Sequence, residues 1–260
     1  MKTAVVTGGS SGIGKRICDM LAERGWKVYE LSRNGESRPG VEHIGCDITD
    51  AAAVADAIRK AESPSGIDLL VNNAGMGVSG AVEFLSPEDT ERQFGLNILG
   101  TLNVIRSVLP GMRRRNFGRI INLSSVAAVA SIPFQAYYSA SKAAINSLTL
   151  AIANEVRPFG ISVCAVMPGD TKTGFTAARR KTVAGDVEYG GRISKSVATM
   201  ERDEQNGADP DKVASLVLCL AEKKKVRPLY TVGLKYKAAV ALIKLLPAGT
   251  ANFLIGKIYS

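Results

Sequence analysis

The segment Thr7-Gly8-Gly9-Ser10-Ser11-Gly12-Ile13-Gly14 decides the fold of this chain. A short β-branched stretch at 2–7 precedes it, and a helical pattern with apolar Ile17 and Leu21 follows it. Strand, glycine-rich turn and helix in this order hold the pyrophosphate of a dinucleotide, because glycines let the backbone approach closely and the helix start offers free N–H groups. The spacing Gly-x-x-x-Gly-x-Gly differs from the Gly-x-Gly-x-x-Gly fingerprint. The loop by itself therefore leaves an ordinary glycine-rich turn as an alternative.

Strand-like and helical patterns alternate along the rest of the chain. Further strands are predicted at 26–31, 41–46, 67–71, 118–123, 161–167 and 229–232, and helices at 51–61, 86–115, 138–157 and 209–222. The almost wholly apolar stretch 67–71 is typical of a strand that is covered on both faces. This alternation predicts an α/β fold, a doubly wound parallel sheet of about seven strands with helices on both faces. Residues 1–233 are expected to form this single Rossmann-type domain.

The composition restricts the class of protein. The chain has 260 residues, of which 46% are hydrophobic, which is enough for one large domain. No apolar run reaches the roughly 18 to 20 residues of a membrane span, and the first strand leaves no room for a signal peptide. The four cysteines lie far apart, and His43 is the only histidine. We therefore expect no metal, no disulfide, no histidine-dependent triad and a cytoplasmic location.

The net charge of +9 is concentrated at the C-terminus. The range 223–260 contains eight basic residues and no Asp or Glu, so the rest of the chain carries about +1 (9 − 8). Because the excess charge lies in this appendage, no nucleic acid partner is predicted for the domain.

The end of the second predicted strand indicates which dinucleotide is bound. An acidic residue about 20 residues after the glycine loop holds a ribose 2′-hydroxyl, whereas a basic one accommodates a 2′-phosphate. Glu30 lies inside the strand, while Ser32 and Arg33 lie at its end. This placement favours NADP(H), with a solvated turn arginine as the alternative.

Tyr138 and Lys142 lie four residues apart in a helical pattern and should share one face of the helix. A nearby cation favours the ionised form of a phenol, so Lys142 is expected to lower the pKa of Tyr138 from the value of about 10 of a free phenol. A phenol of this kind can exchange a proton with a substrate oxygen near neutral pH. Tyr137 has Ser141 at the same offset and lacks such a partner.

Taken together, the ordered motifs resemble those of the short-chain dehydrogenases/reductases, in particular the compact single-domain branch that includes hydroxysteroid and retinol dehydrogenases. The resemblance covers about residues 2–233. It depends on Thr7-Gly8, Gly12-Ile13-Gly14, Asp47, Asn72-Asn73-Ala74-Gly75, Asn97, Ser125, Tyr138, Lys142, Pro168-Gly169 and Thr173.

The resemblance implies a catalytic tetrad of Asn97, Ser125, Tyr138 and Lys142. Tyr138 would be the acid/base for the substrate carbonyl or hydroxyl, and Ser125 would hydrogen-bond the same oxygen. Ser125 is preferred to Ser124 because it lies thirteen residues before Tyr138, which is the usual interval of the family. Lys142 would lower the Tyr138 pKa and bind the nicotinamide ribose, and Asn97 would hold a water that links Lys142 to solvent.

The family also implies an NADP(H) site, without a metal, and an apolar substrate site. The predicted cofactor residues are Gly8, Ser10, Ser11, Gly12, Ile13, Gly14, Ser32, Arg33, Asp47, Ile48, Asn73, Ala74, Gly75, Tyr138, Lys142, Pro168, Gly169, Thr171 and Thr173. The predicted substrate residues are Ser125, Tyr138, Met76, Phe134 and Phe175. The expected reaction is hydride transfer to or from a carbonyl or secondary alcohol of a steroid, an aldehyde or ketone, or a 3-oxoacyl compound. A redox-sensing NADP-binding protein and a membrane-surface protein with incidental activity are the alternatives.

Two segments add to this framework. The range 171–208 is polar and lacks a clear period, which is typical of a substrate lid. The range 234–260 is predicted to be a basic, apolar, helical extension that Pro247 interrupts. Such tails look like those of some hydroxysteroid- and retinol-type relatives and put the usual tetramer in doubt, so either a homodimer or a homotetramer is expected. The extension should pack beside the lid and close one side of an apolar pocket; a subunit interface and a membrane surface are the alternatives.

Overall fold

Strands and helices alternate from the first residues onward in the computed structural model, which describes residues 1–62 and 66–259. The strands are β1 (Thr3–Thr7), β2 (Lys27–Ser32), β3 (Val41–Gly45), β4 (Leu69–Asn72), β5 (Val78–Ser79), β6 (Gly118–Leu123), β7 (Ile161–Met167), β8 (Arg180–Lys181) and β9 (Leu229–Thr231). The helices are α1 (Gly12–Glu23), α2 (Ala51–Ala61), α3 (Pro87–Phe94), α4 (Thr101–Arg115), α5 (Ala136–Glu155), α6 (Phe175–Ala178), α7 (Arg192–Gln205), α8 (Pro210–Glu222), α9 (Leu234–Leu245) and α10 (Ala248–Tyr259).

Seven strands of the described residues form one parallel sheet in the order β3-β2-β1-β4-β6-β7-β9. The predicted doubly wound, Rossmann-type sheet is therefore confirmed. The strand order reverses between β1 and β4, and sheets of this kind bind ligands beyond the carboxyl ends of the strands at such a reversal.

The core lies on both faces of the sheet because neighbouring residues of a strand point to opposite sides. In β1, Val5 packs with α2 and α4, whereas Ala4 and Val6 pack with α1 and α8. In β6, Ile120 and Ile121 divide between the two faces in the same way. Covering by helices on both faces explains why these strands are apolar throughout.

Local capping sets the starts of several predicted helices. Asp50 accepts hydrogen bonds from the backbone N–H groups of Ala52 and Ala53 at the start of α2, and Asp209 caps α8, whose first residue is Pro210. An acceptor at the N-cap satisfies N–H groups that have no partner within the helix. These two helices begin at the residues that the sequence pattern predicts.

The range 171–208 is more regular than its composition suggests. It contains α6, β8 and α7, and β8 pairs with β5 in a separate two-stranded sheet. Ile193, Val197 and Met200 of α7 are buried at spacings of four and three residues. The interpretation of this range as lacking a period was therefore wrong, because a single short apolar stripe is diluted by many charged neighbours.

The predicted C-terminal extension consists of α9 and α10, and its last residue, 260, lies outside the described residues. Helix α10 contacts α7, and α9 contacts β9. None of the helices in the described ranges is both long enough and apolar enough to cross a membrane.

Candidate active site

The backbone of the glycine-rich loop after β1 lies very close to neighbouring backbone segments. Gly8 has φ +66° and Gly12 has φ +52°, a left-handed region that favours glycine. A Cβ on Gly8 would lie 2.9 Å from the Cα of Ala74, and a Cβ on Gly14 would lie 2.2 Å from the Gly8 carbonyl oxygen. Gly14 thus lets α1 pack against the loop, while the other glycines shape the loop surface.

Asn73 and Thr7 hold the loops after β1 and β4 together at the strand reversal. The Asn73 side-chain amide donates to the carbonyl oxygens of Thr7 (3.1 Å) and Gly8 (2.9 Å). The Thr7 hydroxyl oxygen accepts from the backbone N–H groups of Asn73 (3.0 Å) and Ala74 (3.1 Å). Both loops therefore form one rigid wall at the carboxyl edge of the sheet.

Asn97 lies in a π-helical segment, Gly95–Gly100, that interrupts the long predicted helix between α3 and α4. Its amide bonds to both the N–H and the C=O of Met76 (2.9 and 3.0 Å) and to the Ser141 hydroxyl (3.0 Å). A Cβ on Gly75 would be 3.2 Å from Asn97 Oδ1. Single π turns commonly mark functional sites, and here the turn directs Asn97 towards α5 rather than to its own helix backbone.

Tyr138, Lys142 and Ser125 come together where α5 passes the end of β6. The Lys142 ammonium lies 5.7 Å from the centre of the Tyr138 ring and donates to the Leu123 carbonyl at 2.8 Å. The Ser125 hydroxyl is close enough to the Tyr138 phenol to lower the pKa of that phenol, and the centre of the Phe175 ring lies 5.7 Å from the centre of the Tyr138 ring. The predicted proximity of the three side chains is present.

The predicted effect of Lys142 on the Tyr138 pKa is wrong. Burial raises the pKa of Tyr138 to about 12, and the nearby Ser125 hydroxyl opposes this shift only in part. Burial also lowers the pKa of Lys142 to about 8. Desolvation disfavours the charged form of both groups, and the lysine directs its ammonium at a carbonyl rather than at the phenol.

The choice between the two serines after β6 follows from their partners. Ser124 is buried and donates its hydroxyl to the Lys142 backbone carbonyl at 3.0 Å, so it ties β6 to α5. Ser125 caps a short 3₁₀ turn by accepting from the Ala127 N–H at 3.1 Å, and it also meets Tyr138. Of the two serines, only Ser125 therefore acts on the pKa of the phenol.

Most of the predicted site residues line one cavity of about 470 Å³. The predicted residues in its wall are Gly8, Ser10, Ser11, Gly12, Ile13, Ser32, Arg33, Asp47, Ile48, Asn73, Ala74, Gly75, Ser125, Tyr138, Lys142, Pro168, Gly169, Thr171, Thr173 and Phe175. Gly14 and Asn97 lie behind the wall, as does Met76, which is bonded to Asn97.

Phe134 is also absent from the cavity wall, so the structure does not support its prediction as a substrate contact. Its ring packs edge-on against Tyr189 at 5.7 Å and under Arg192. Phe134 has φ +60°, which turns the chain before α5 and directs the side chain to the lid.

Four polar or aromatic side chains in the cavity wall are not among the predicted site residues and bear on its chemistry. They are Asp170, Glu204 of α7, Tyr236 of α9 and Tyr259 of α10. The Tyr236 hydroxyl donates to the Asp170 carboxylate at 2.5 Å, and its ring lies so close to Gly169 that a Cβ there would be 2.3 Å away. Side chains from the range 171–208 and from the C-terminal extension thus both line the cavity, and α10 contacts α7.

Glu204 belongs to a largely buried cluster of polar and charged side chains near Tyr138. Its carboxylate pairs with the guanidinium of Arg179, which is 4% exposed, and accepts from the Thr176 hydroxyl at 2.6 Å. The charge of Glu204 raises the pKa of Tyr138, whereas that of Arg179 lowers it. No local pattern in the sequence distinguishes Glu204 from the other acidic residues of α7.

Arg33 lies between the main cavity and a neighbouring groove and lines both. Lys15, Arg38 and His43 also line the groove. Arg38 is paired with Asp19 at 2.7 Å, and His43 is bonded to the buried Glu30 at 2.5 Å. Arg33 is exposed and is therefore positioned to meet an anion at the end of β2.

Three features are together typical of an oxidoreductase that uses a dinucleotide. They are the reversal of strand order, the glycine loop and the closeness of Ser125 to Tyr138. The family model "short chain dehydrogenase" matches residues 2–184, and the chain belongs to this family. The fold of this family binds a nicotinamide cofactor, and the glycine loop fits one, because Gly8 and Gly12 line the cavity without a side chain that would enter it.

Among individual proteins, the chain is 39% identical to a 3-ketodihydrosphingosine reductase of Bacteroides thetaiotaomicron, over 88% of both chains. A short-chain dehydrogenase/reductase of Burkholderia phymatum in complex with NAD matches with a TM-score of 0.80 at 25% identity, over 94% of this chain and 92% of that one. ElxO with NADP bound matches with a TM-score of 0.76 at 26% identity, over 91% and 99%.

Proposed function

We propose that this protein is an NADP(H)-dependent reductase of long-chain ketones and that a 3-ketosphingoid base is its substrate class. The observation that carries the reductase assignment is the proximity of the Ser125 hydroxyl to the Tyr138 phenol in a cavity wall that Lys142 shares. Two hydroxyls directed at one point can hold a ketone oxygen, and one of them can supply the proton that an alcohol product needs.

The pKa values support donation rather than abstraction of a proton by the free protein. Because the pKa of Tyr138 is about 12, the phenol carries its proton at neutral pH. A nicotinamide cofactor, when bound, supplies the hydride for the carbonyl carbon. Tyr138 then donates its proton to the oxygen, Ser125 orients that oxygen, and the cationic form of Lys142 stabilises the resulting phenolate.

The preference for NADP(H) rests on Arg33. An exposed guanidinium at the end of β2 can hold a 2′-phosphate by paired charge-assisted hydrogen bonds. Glu30 would have to leave a buried position to reach a 2′-hydroxyl, since its side chain is 0% exposed and bonded to His43. Solved relatives include complexes with NADP and with NAD, so the argument depends on this chain's own residues.

The substrate class rests on Glu204 and on the similarity to the Bacteroides reductase. A 3-ketosphingoid base carries an ammonium group on the carbon next to its ketone, and a long alkyl chain. Glu204 lines the cavity and is close enough to affect the Tyr138 pKa, so its carboxylate can pair with that ammonium. The alkyl chain would lie along Phe175 and the tyrosines of the extension.

The test is a substrate panel followed by the absorbance of NADPH. It includes 3-ketodihydrosphingosine, the same ketone without its amine, a 3-oxoacyl thioester and a steroid ketone. We expect the amino ketone to be the best substrate by kcat/KM. Glu204→Gln should raise its KM roughly 10-fold, the value of a lost charged hydrogen bond, without changing the KM of the amine-free ketone.

Thr176→Val is the matched control, because it removes a hydroxyl partner of Glu204 but keeps the charge. If the wild type reduces both ketones equally well, recognition of the amine is refuted. If no ketone of the panel consumes NADPH, the reductase proposal itself is wrong.

A further inference from the structure

The two helices of the C-terminal extension each bury one side and expose apolar side chains on the other. In α9, Val240 is buried and Tyr236 faces the cavity wall. The opposite side carries Leu234, Leu242 and Leu245, which are 82%, 54% and 83% exposed. These three residues follow the spacing i, i+8, i+11, so they lie on one face of the helix. The exposed leucines of α9 thus share one side of the helix and are not isolated surface positions.

Helix α10 has the same division. Ala251 and Ile255 are buried, whereas Phe253, Leu254 and Ile258 are 61%, 44% and 63% exposed. Soluble monomers rarely expose this many large apolar side chains on two successive helices. We call the six exposed residues of α9 and α10 the outer face.

The charged side chains of α9 and α10 themselves have one sign. In α9, Lys235 borders the apolar face on one side, and Lys237 and Lys244 border it on the other, as their helical positions require. In α10, the Lys257 ammonium lies 4.9 Å over the Phe253 ring. The described part of the chain from 223 to 259 contains no Asp or Glu. Long lysine side chains at the border of an apolar face can extend to the phosphates of lipid headgroups.

The inner sides of the same helices form part of the cavity wall through Tyr236 and Tyr259. The outer face is therefore separated from the cavity by the thickness of one helix. If the outer face binds to a lipid surface, the cavity lies close to the boundary between lipid and water. Long-chain compounds reside at that boundary.

We propose that the outer face docks on the surface of a bilayer that contains anionic lipids. Apolar side chains flanked only by lysines match a lipid interface with negative headgroups in both hydrophobicity and charge. A two-fold pairing of the outer face with a second copy would instead bring lysines against lysines, with no acidic partner in α9 or α10. Contact with the bilayer surface also needs no membrane-spanning helix.

The test uses the full chain in flotation with phosphatidylcholine vesicles, with and without phosphatidylglycerol. We expect the protein to float with the anionic vesicles and to remain behind with the neutral ones at moderate salt. Leu245→Glu should lower the vesicle partition roughly 10-fold or more, because a leucine side chain no longer enters the apolar layer. Replacing Lys235, Lys237 and Lys244 by Ala should lower it roughly 100-fold on anionic vesicles.

Phe117→Glu is the matched control, because this exposed phenylalanine precedes β6 and so lies at the opposite edge of the sheet from the cavity. It should float like the wild type, and circular dichroism and turnover of a short water-soluble ketone should be normal in all variants. Flotation of Leu245→Glu at the wild-type level would overturn the proposal. So would a wild-type dimer that Leu245→Glu converts to a monomer while neither protein binds vesicles, since a second copy would then cover the outer face.

Discussion

The buried ammonium of Lys142 should make the stability of the cofactor-free protein depend on pH in a way that one substitution removes. Lys142 is 6% exposed, and burial lowers its pKa from 10.5 to about 8. Between these two values the unfolded chain keeps a proton that the folded protein has released. Stability therefore rises with pH across this window, because the unfolded state binds more protons.

The magnitude follows from the two pKa values. One pH unit corresponds to about 1.4 kcal/mol, so the whole window from pH 8 to 10.5 corresponds to roughly 3 kcal/mol. Lys142→Met has no proton to release and lacks this rise. At pH 7 the methionine variant should be the more stable protein, although the loss of the hydrogen bond to the Leu123 carbonyl offsets about 1 kcal/mol or more of the gain.

Other buried groups titrate in the same range with the opposite sign. Burial raises the pKa values of Cys18 and Cys164 to about 12 from 9.0. The folded protein keeps these protons while the unfolded chain loses them, so their contribution falls as the pH rises above about 9. Both cysteines are present in wild type and variant, and the difference between the two proteins cancels their effect.

The assay is urea unfolding followed by circular dichroism at half-unit steps between about pH 7 and 10. The free energy of unfolding of the wild type minus that of Lys142→Met should be constant below pH 8 and then rise by about 1.4 kcal/mol per pH unit. Lys60→Met, at an exposed position of α2, is the control and should give a flat difference. A flat difference for Lys142→Met as well would refute the assignment of a depressed pKa to this lysine.

The other predictions concern chemistry, cofactor and tail. Tyr138→Phe should lower turnover about 10²- to 10⁴-fold while NADPH binding, measured by fluorescence, is retained, because only the proton donor is lost; near-normal turnover would contradict the mechanism. Ser32→Asp combined with Arg33→Ala should shift the kcat/KM preference from NADPH to NADH, and a wild type that already prefers NADH would disprove the role of Arg33. Truncation after Gly233 removes Tyr236 and Tyr259 from the cavity wall and should raise KM for long-chain ketones far more than for short ones; equal effects on both would exclude the tail from the site.

The sequence alone determined the fold and most of the cofactor cavity of this protein. The glycine loop, the apolar strands and the capped helices are set by interactions between residues that lie close together in the chain, and these interactions leave a visible pattern. Because the motifs follow the ends of parallel strands, the topology itself gathers them at one edge of the sheet. Ser125, Tyr138 and Lys142 are adjacent for this reason. Their catalytic roles stay a prediction.

Only the tertiary structure decided which distant segments complete the cavity and how its groups titrate. Glu204, Tyr236 and Tyr259 enter the wall because α7, α9 and α10 pack across the sheet edge, and no short-range pattern encodes that packing. The pKa of Tyr138 is likewise decided by tertiary packing and not by a local sequence pattern. The spacing to Lys142 indicates a nearby cation, but burial depends on every neighbour at once, and here desolvation outweighs the charge.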